Sequence, residues 1–384
     1  MTTWRPPSRP RSQRSRRIVA LAAALSFAVN ACGHAASALH EAKRSDVPVP
    51  RAIGQGGWEE INLGQDAPPA GEDTAAVLDA ARHRVLLYGG KDDGDKSHNE
   101  LWEFDLATKG WTQIRPEGVL PPPREDHTLV LDQGNDALVL FGGENGSTTN
   151  STWIYDLAAN RWRDSTDASA PALEGHVAAY DPDGRRMLVF GGMSEEKAHK
   201  DDKVLDNTTW AMDLDRASPR CGQWTRLEIA GPRPSPRREH RGVYDPVRGR
   251  LIVFGGRQRS KASFLADLWI LELEPLRWHE LETSGERPEP MRQTALGYDA
   301  EEDLLTVFGG EVLVQHDGGD DEFTVNQVWV LDLGAGLWSN RTPYPRPMYD
   351  HQGLFVPEVG ATLIYGGSSQ WPGKQHETWL LRVR

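Results

Sequence analysis

The chain has little cysteine: two residues in 384, Cys32 and Cys221. No disulfide framework can brace its body, and a body of over 300 residues buries enough apolar surface to do without one. Long apolar runs are missing too. The stretch IVALAAALSFAV (18–29) reaches 12 residues, short of the roughly 20 that a membrane-spanning helix needs. Positive charge is outweighed by acids outside the N-terminus. Arg5, Arg9, Arg11, Arg14, Arg16 and Arg17 crowd the first 31 residues with no acid among them; the whole chain carries −13, and without those six arginines −19. So acidic a body argues against nucleic acid, whose binding rests on phosphate neutralisation, and against anionic membrane surfaces. Catalytic signatures are also absent. There is no HExxH, no Cys/His ligand spacing, no GxSxG elbow and no phosphate-binding glycine loop, so no metal site, cofactor or catalytic residue is predicted. The acid runs Asp92-Asp93-Gly94-Asp95 and Asp317 to Glu322 hold oxygen ligands that suit Ca²⁺, but without EF-hand spacing they read as solvated loops.

Glycine and tryptophan, by contrast, recur in register. Six doublets, Gly89-Gly90, Gly142-Gly143, Gly191-Gly192, Gly255-Gly256, Gly309-Gly310 and Gly366-Gly367, follow one another at steps of 53, 49, 64, 54 and 57 residues. A period near 50 signals a repeat architecture. Each doublet closes an apolar run (VLLYGG, LVLFGG, MLVFGG, LIVFGG, LTVFGG, TLIYGG) that reads as a buried strand. A second strand begins at Trp102, Trp153, Trp210, Trp269, Trp329 or Trp379. In five units an acid follows three residues later, and in four a second Trp nine residues later (Trp111, Trp162, Trp278, Trp338); in the third unit it arrives late, at Trp224. A further strand precedes each doublet, as in HTLVLD (127–132) and HRGVYD (240–245). One unit is four short strands.

Strand, Gly-Gly, variable loop, Trp, acidic turn, Trp resembles the kelch repeat over residues 57–384. The resemblance implies an all-β fold, a six-bladed β-propeller with one four-stranded blade per repeat; seven blades is the alternative. No blade buries its own faces, but a ring of them stacks each on its neighbours. The sixth unit ends at Arg384 without its second Trp, and Trp58 in GWEEINL (57–63) is predicted to supply the missing outer strand, joining the two ends in one blade and leaving no open edge.

Residues 1–31 read as an export signal. Val29-Asn30-Ala31-Cys32 resembles a bacterial lipobox, which would lipidate Cys32; Ala36-Ser37-Ala38 is the rival cleavage site and would release a soluble protein, and Ser15-Arg16-Arg17 is a loose twin-arginine match. Residues 32–56 read as a flexible tether. The expected location is the bacterial envelope, as a lipoprotein or as a periplasmic or secreted protein.

Antiparallel strands sort the connections by face. With the strands of a blade called a to d from the channel outward, a→b and c→d turns share one face and are short (DPDGRR, 181–186). The d→a and b→c loops share the other. The first are proline-stiffened, as in PEGVLPPPRED (116–126); the second vary in length and are charged, with insertions at 193–207 and 311–326. Binding is expected on this loop face. Aligned units put Thr74, His127, His176, His240, Thr294 and His351 at one position by the channel rim, with Arg124 and Arg237 three residues earlier and Arg292 and Arg346 nearby. The candidate ligand-binding residues are Arg124, His127, His176, Arg237, His240, Arg292 and His351, with Trp371, which is free of repeat duty. Such a rim suits an anionic ligand, a sugar carboxylate or an acidic peptide; its structural reading is inter-blade hydrogen bonding. The expected function is a protein- or carbohydrate-binding module. Kelch-like propellers also include copper-radical sugar oxidases, disfavoured here because Cys221 lies on the opposite face, and a six-bladed sialic-acid mutarotase, whose acid–base role would fall to Arg124, Arg237 and Glu125 or Glu239. A passive envelope role is the third alternative.

Overall fold

The computed structural model describes residues 57–61, 67–69, 71–195, 203–258, 263–316, 319–341, 346–369 and 377–383. The expected signal (1–31), linker (32–56), Cys32 and Trp371 lie outside the described residues.

Six four-stranded antiparallel sheets account for the repeats. In chain order the inner strands are Ala75–Asp79, Thr128–Asp132, Val177–Asp181, Arg241–Asp245, Ala295–Asp299 and Gln352–Val356. Each touches the next and the last touches the first, so the ring closes at six. The described residues from 57 onward therefore form a β-propeller, and the seven-bladed alternative falls. The strand Gly57–Ile61 pairs with Thr378–Arg382, Trp58 opposite Leu381, as the outermost strand of the sixth blade.

The apolar runs before the doublets are the second strands, and their Val, Leu, Ile, Met and Phe side chains are almost fully buried between blades. Both glycines of all six doublets have positive φ, where other residues are strained. A Cβ on Gly142 would come within 2.5 Å of Leu173 O. The tight approach lets the second glycine donate its N–H to the next blade: Gly90 to Arg124 O (3.0 Å), Gly143 to Leu173 O (2.8 Å), Gly192 to Arg237 O (2.8 Å), and likewise in the other three units. The doublet is an inter-blade clasp.

The tryptophans of the outer strands form a second clasp. Trp162 meets Tyr88, Trp224 meets Phe141, Trp278 meets Phe190, Trp338 meets Phe254 and Trp111 meets Tyr365, with ring centroids 4.3–5.8 Å apart. Each thus packs on the aromatic residue that precedes a doublet in the blade before. Trp58 makes the same contact with Phe308 at 4.9 Å, which identifies Gly57–Ile61 as the missing outer strand by packing as well as by pairing.

The face assignment holds. A β-bridge joins the d→a loop to the b→c loop in all six blades: Glu72 with Lys91, Glu125 with Glu144, Glu174 with Met193, Arg238 with Arg257, Met291 with Val312, and Tyr349 with Ser368. The two insertions differ from the plain loops expected. Met193–Glu195 pairs with Lys203–Leu205, and Glu311–His316 pairs with Gly319–Thr324, extended by Met291–Arg292 into a three-stranded sheet. Val312 and Phe323 face each other there, giving the second hairpin an apolar contact that its charges hid. The opposite face carries tight turns braced by buried carboxylates, such as Asp181 with Arg186 at 2.8 Å and Asp245 with Arg250 at 2.9 Å.

Candidate functional site: the collar of the central channel

The six residues preceding the aligned Thr/His position are Asp73, Asp126, Gly175, Glu239, Gln293 and Asp350, and every one sits at φ between +50° and +60°. For non-glycine residues that conformation costs about 1–3 kcal/mol each. The ring of blades holds them there. Gly175 N–H donates to Asp126 O, Glu239 to Gly175 O, Gln293 to Glu239 O and Asp350 to Gln293 O, all at 2.9–3.0 Å. These bonds make a collar at the loop-face end of the channel. Where the sixth blade meets the first, the carboxyls of Asp350 and Asp73 are hydrogen-bonded to each other, so one proton joins the ends of the ring.

Below the collar the inner strands enclose a cavity of about 410 Å³. Arg241 is the one ionised side chain on its wall among the described residues. Its Nε donates to Thr294 O (3.0 Å) and its Nη2 to Asp350 Oδ1 (2.7 Å). Gln352 Nε2 crosses the seam between the sixth blade and the first to Thr74 O at 2.6 Å.

Electrostatics follow from this crowding. Burial raises the Asp73 carboxyl well above the usual carboxylate range, and the Asp350 and Asp126 charges and the Asp350 hydrogen bond add to it, against Lys91. Asp126 is pushed up to about 7, by burial first and then by Asp350, Glu239 and Glu174, with Arg238 opposing. Burial also pushes Asp350 upward, but the Asp73 hydrogen bond and Arg241 outweigh it and hold the group below its ordinary value. Two carboxyls of the mouth, Asp73 and Asp126, therefore hold their protons more tightly than free carboxyls do, Asp126 up to about pH 7.

The residues expected to grip an anion are placed differently. His127, His240 and His351 are at most 5 % exposed, and each Nε2 donates to a carbonyl of the preceding blade, Tyr88, Phe190 and Phe308 respectively, at 3.2 Å. His176 Nε2 lies 2.8 Å from Thr128 Oγ1. Burial depresses all four, His127 and His176 to about 3 and His351 to about 4. Neutral rings carry no charge to an anion, although they border the cavity. Arg124, 2 % exposed, donates to Pro122 O, Gly142 O and Ser151 Oγ. Arg237, fully buried, pairs with both Asp267 oxygens at 2.7 Å and donates to Gly255 O. These are corrections to the ligand-gripping expectation: a guanidinium sealed between blades must spend its donors there. Arg292 is bound to Glu239, Glu311 and Glu322 and lies over the Phe264 ring; Arg346 pairs with Glu377 at 2.9 Å on the surface.

The acid–base set implied by the mutarotase resemblance is not brought together. None of Arg124, Arg237, Glu125 and Glu239 borders the cavity; Glu125 pairs with Lys91, and Glu239 with Arg257 and Arg292. The loop asparagines do act as caps, Asn99 Nδ2 reaching Pro121 O (2.9 Å) and Asn207 Nδ2 reaching Pro234 O (3.0 Å). Cys221 is an exposed free thiol. No group of three potential metal ligands gathers among the described residues, and Asp92 is engaged by the amides of Gly94 and Lys96 and by His98. Sequence reasoning missed Asp73, Asp126, Asp350 and Arg241. A signal was present: a polar pair stands before the aligned position in EDT (72–74), EDH (125–127), REH (238–240), RQT (292–294) and YDH (349–351).

The chain was compared with known proteins. It matches the family model of the KLHDC2/KLHL20/DRC7 Kelch-repeats domain over residues 51–171 and 134–367. It is 26% identical over 285 residues to Host cell factor of Drosophila melanogaster, covering 67% of this chain and 18% of that protein. Host cell factor 1 of Homo sapiens is 28% identical over 271 residues, 62% of this chain and 12% of the relative. Kelch domain-containing protein 3 of Homo sapiens is 26% identical over 262 residues, 66% of this chain and 65% of the relative. The chain thus spans less than two thirds of each of these relatives. The solved structure of YjhT superposes with a TM-score of 0.64 at 16% identity, over 83% of this chain and 97% of that one, a likeness that speaks for the fold alone.

Proposed function

Because the chain belongs to the kelch-repeat family, its model matched across residues 51–367, we propose that it is an exported binding module that docks a protein partner on its loop face, held at the envelope by its N-terminal segment and Cys32. The observation that carries this reading is the sorting of the connections. Six bridges bind the d→a loops to the b→c loops on one face, and both hairpin insertions rise from it. The other face keeps short turns pinned by buried carboxylates. Variable segments on a rigid scaffold are where recognition resides. The named relatives supply the family; the partner belongs to this chain's own loops.

Site-specific photo-crosslinking in cells tests the assignment. Val119 (72 % exposed) and Val314 (46 %) lie on the loop face, and Val247 (65 %) lies on the turn face. A photoreactive residue at Val119 or Val314 should give discrete protein adducts on the full-length chain. Adducts from Val247 alone would place docking on the wrong face, and labelled glycan in place of protein would overturn the partner class.

A further inference from the structure

The collar holds polar groups that this chain leaves unmatched. The Asp126 carboxyl leans along the ring toward Gly175, its Oδ1 3.9 Å from where a Cβ on that glycine would sit; its neighbours act on it through charge alone. Next to Asp73, Thr74 borders the cavity and is 3 % exposed. Its methyl faces Gly90, and its hydroxyl has no hydrogen-bond partner. Gln293 Oε1, also in the collar, is buried without one. The histidines add to them. With Nε2–H donating to a carbonyl, the Nδ1 of His127 and of His240 is a bare lone pair, buried and unpartnered. The other collar acids are matched, Glu239 by Arg238, Arg257 and Arg292 and Asp350 by Arg241, and Asp73 has Lys91 only at 3.8 Å.

We infer that the collar is a receptor for an organic cation, the ammonium or guanidinium of a lysine or arginine side chain that the docked protein inserts at the channel mouth. The inference rests on the loop-face docking reading and names what is recognised there. Asp350 already receives this chain's own guanidinium at 2.7 Å, so the collar's geometry accepts such a group. An anion would meet the carboxyls, and a bare metal ion would find no set of three ligands among the described residues.

The protons held at the mouth give the site a signature. Asp126 faces Asp350, Glu239, Glu174 and Arg238, and Asp73 faces Asp350, Asp126 and Lys91. A cation reverses the balance that keeps these carboxyls protonated, so binding expels a proton. With Asp126 titrating at about 7, its ionised fraction, and with it the affinity, rises about tenfold between pH 6 and pH 8.

The probes are three acetylated, amidated pentapeptides, Gly-Gly-X-Gly-Gly with X lysine, arginine or norleucine, titrated calorimetrically into the full-length protein in two buffers of different ionisation enthalpy. The lysine and arginine peptides should bind with proton release and the tenfold pH gain, and the norleucine peptide should not bind. Asp126→Asn, which tolerates positive φ and removes a carboxyl whose raised pKa costs stability once it ionises, should melt no lower than wild type, lose about tenfold or more in affinity and lose the proton release. Asp73→Asn should reduce the proton release in the same direction. Equal binding of the norleucine peptide, or a flat pH profile untouched by Asp126→Asn, overturns the inference. Loop-face crosslinks beside a mouth indifferent to the basic peptides would leave the docking face standing and sink this site. A competent mouth with adducts only from Val247 would do the reverse, leaving a receptor for small organic cations.

Discussion

Replacing Trp58 with alanine tests how the ring is closed. Its indole is 2 % exposed and meets Phe308 edge-on at 4.9 Å and Trp379 at 6.3 Å, on a strand of five residues paired with Thr378–Arg382. Truncating a buried Trp costs about 3–5 kcal/mol from lost transfer energy and the remaining cavity. For a unit of this size, whose unfolding entropy is about 2.1 cal/mol/K per residue, that corresponds to a fall in Tm of about 4–7 °C. Trp162→Ala is the matched control, since Trp162 makes the same contact with Tyr88 at 5.3 Å from the middle of the chain. Thermal and urea melts of the full-length variants give the two losses. Hydrogen exchange at Leu380 and Arg382 then reports whether the outer strand has left, which would bare an edge prone to aggregation. Similar losses for the two variants, with faster exchange along Thr378–Arg382 only in Trp58→Ala, are expected. A loss below about 1 kcal/mol for Trp58→Ala beside a full loss for Trp162→Ala would mean that the terminal strand does not close the ring.

Further outcomes concern the seams and the collar. Asp73 has a folded-state pKa raised above its unfolded value, so its contribution to stability is complete below the ordinary carboxylate range and is lost as pH rises through the folded value. The melting temperature should therefore drop toward alkaline pH, and Asp73→Asn should remove part of that slope; an unchanged slope refutes the shared proton. Arg237→Met leaves Asp267 without its bidentate partner and should cost about 3–5 kcal/mol. Arg124→Met loses bonds to neutral acceptors only and should cost about 1–3 kcal/mol, so chemical denaturation should rank the two in that order. Gly143→Ala puts a Cβ 2.5 Å from Glu125 O at φ +90° and should lower the melting temperature more than Gly146→Ala, whose added Cβ meets nothing within 4 Å despite φ +72°.

What the sequence disclosed and what it hid have different physical origins. The doublets and tryptophans repeat because every seam asks the same thing of them: a glycine N–H reaching the next blade and an indole seated on the preceding blade's aromatic residue. A demand met six times leaves a periodic trace, so blade number, ring closure and the division of faces could be read directly. His127, His240 and Arg237 misled for the same reason. They recur because they serve seams, and recurrence at the rim resembled a ring of ligand contacts. Burial separates the two, and burial is a property of the closed ring that no single repeat displays.

The collar inverts that logic. Its backbone is as periodic as the clasps, with positive φ at all six positions, but its side chains are not: Asp73, Asp126, Glu239 and Asp350 carry carboxyls, Gln293 an amide, and Gly175 has no side chain. A structural duty that needed a side chain would have fixed one, as it fixed glycine in the doublets. Here the main chain alone makes the inter-blade bonds at Gly175, Glu239, Gln293 and Asp350, which leaves the side chains free to differ. Carboxyls have collected where the ring's ends meet, beside Arg241 of the channel wall. Placing like charges together under burial raises their protonation and weakens the seam they share. A neutral pair such as asparagine and glutamine would hold that seam without the penalty. The carboxyls therefore make sense through what they can receive, and a substitution that strengthens the seam, Asp73→Asn above all, should at the same time weaken the collar's hold on a cation.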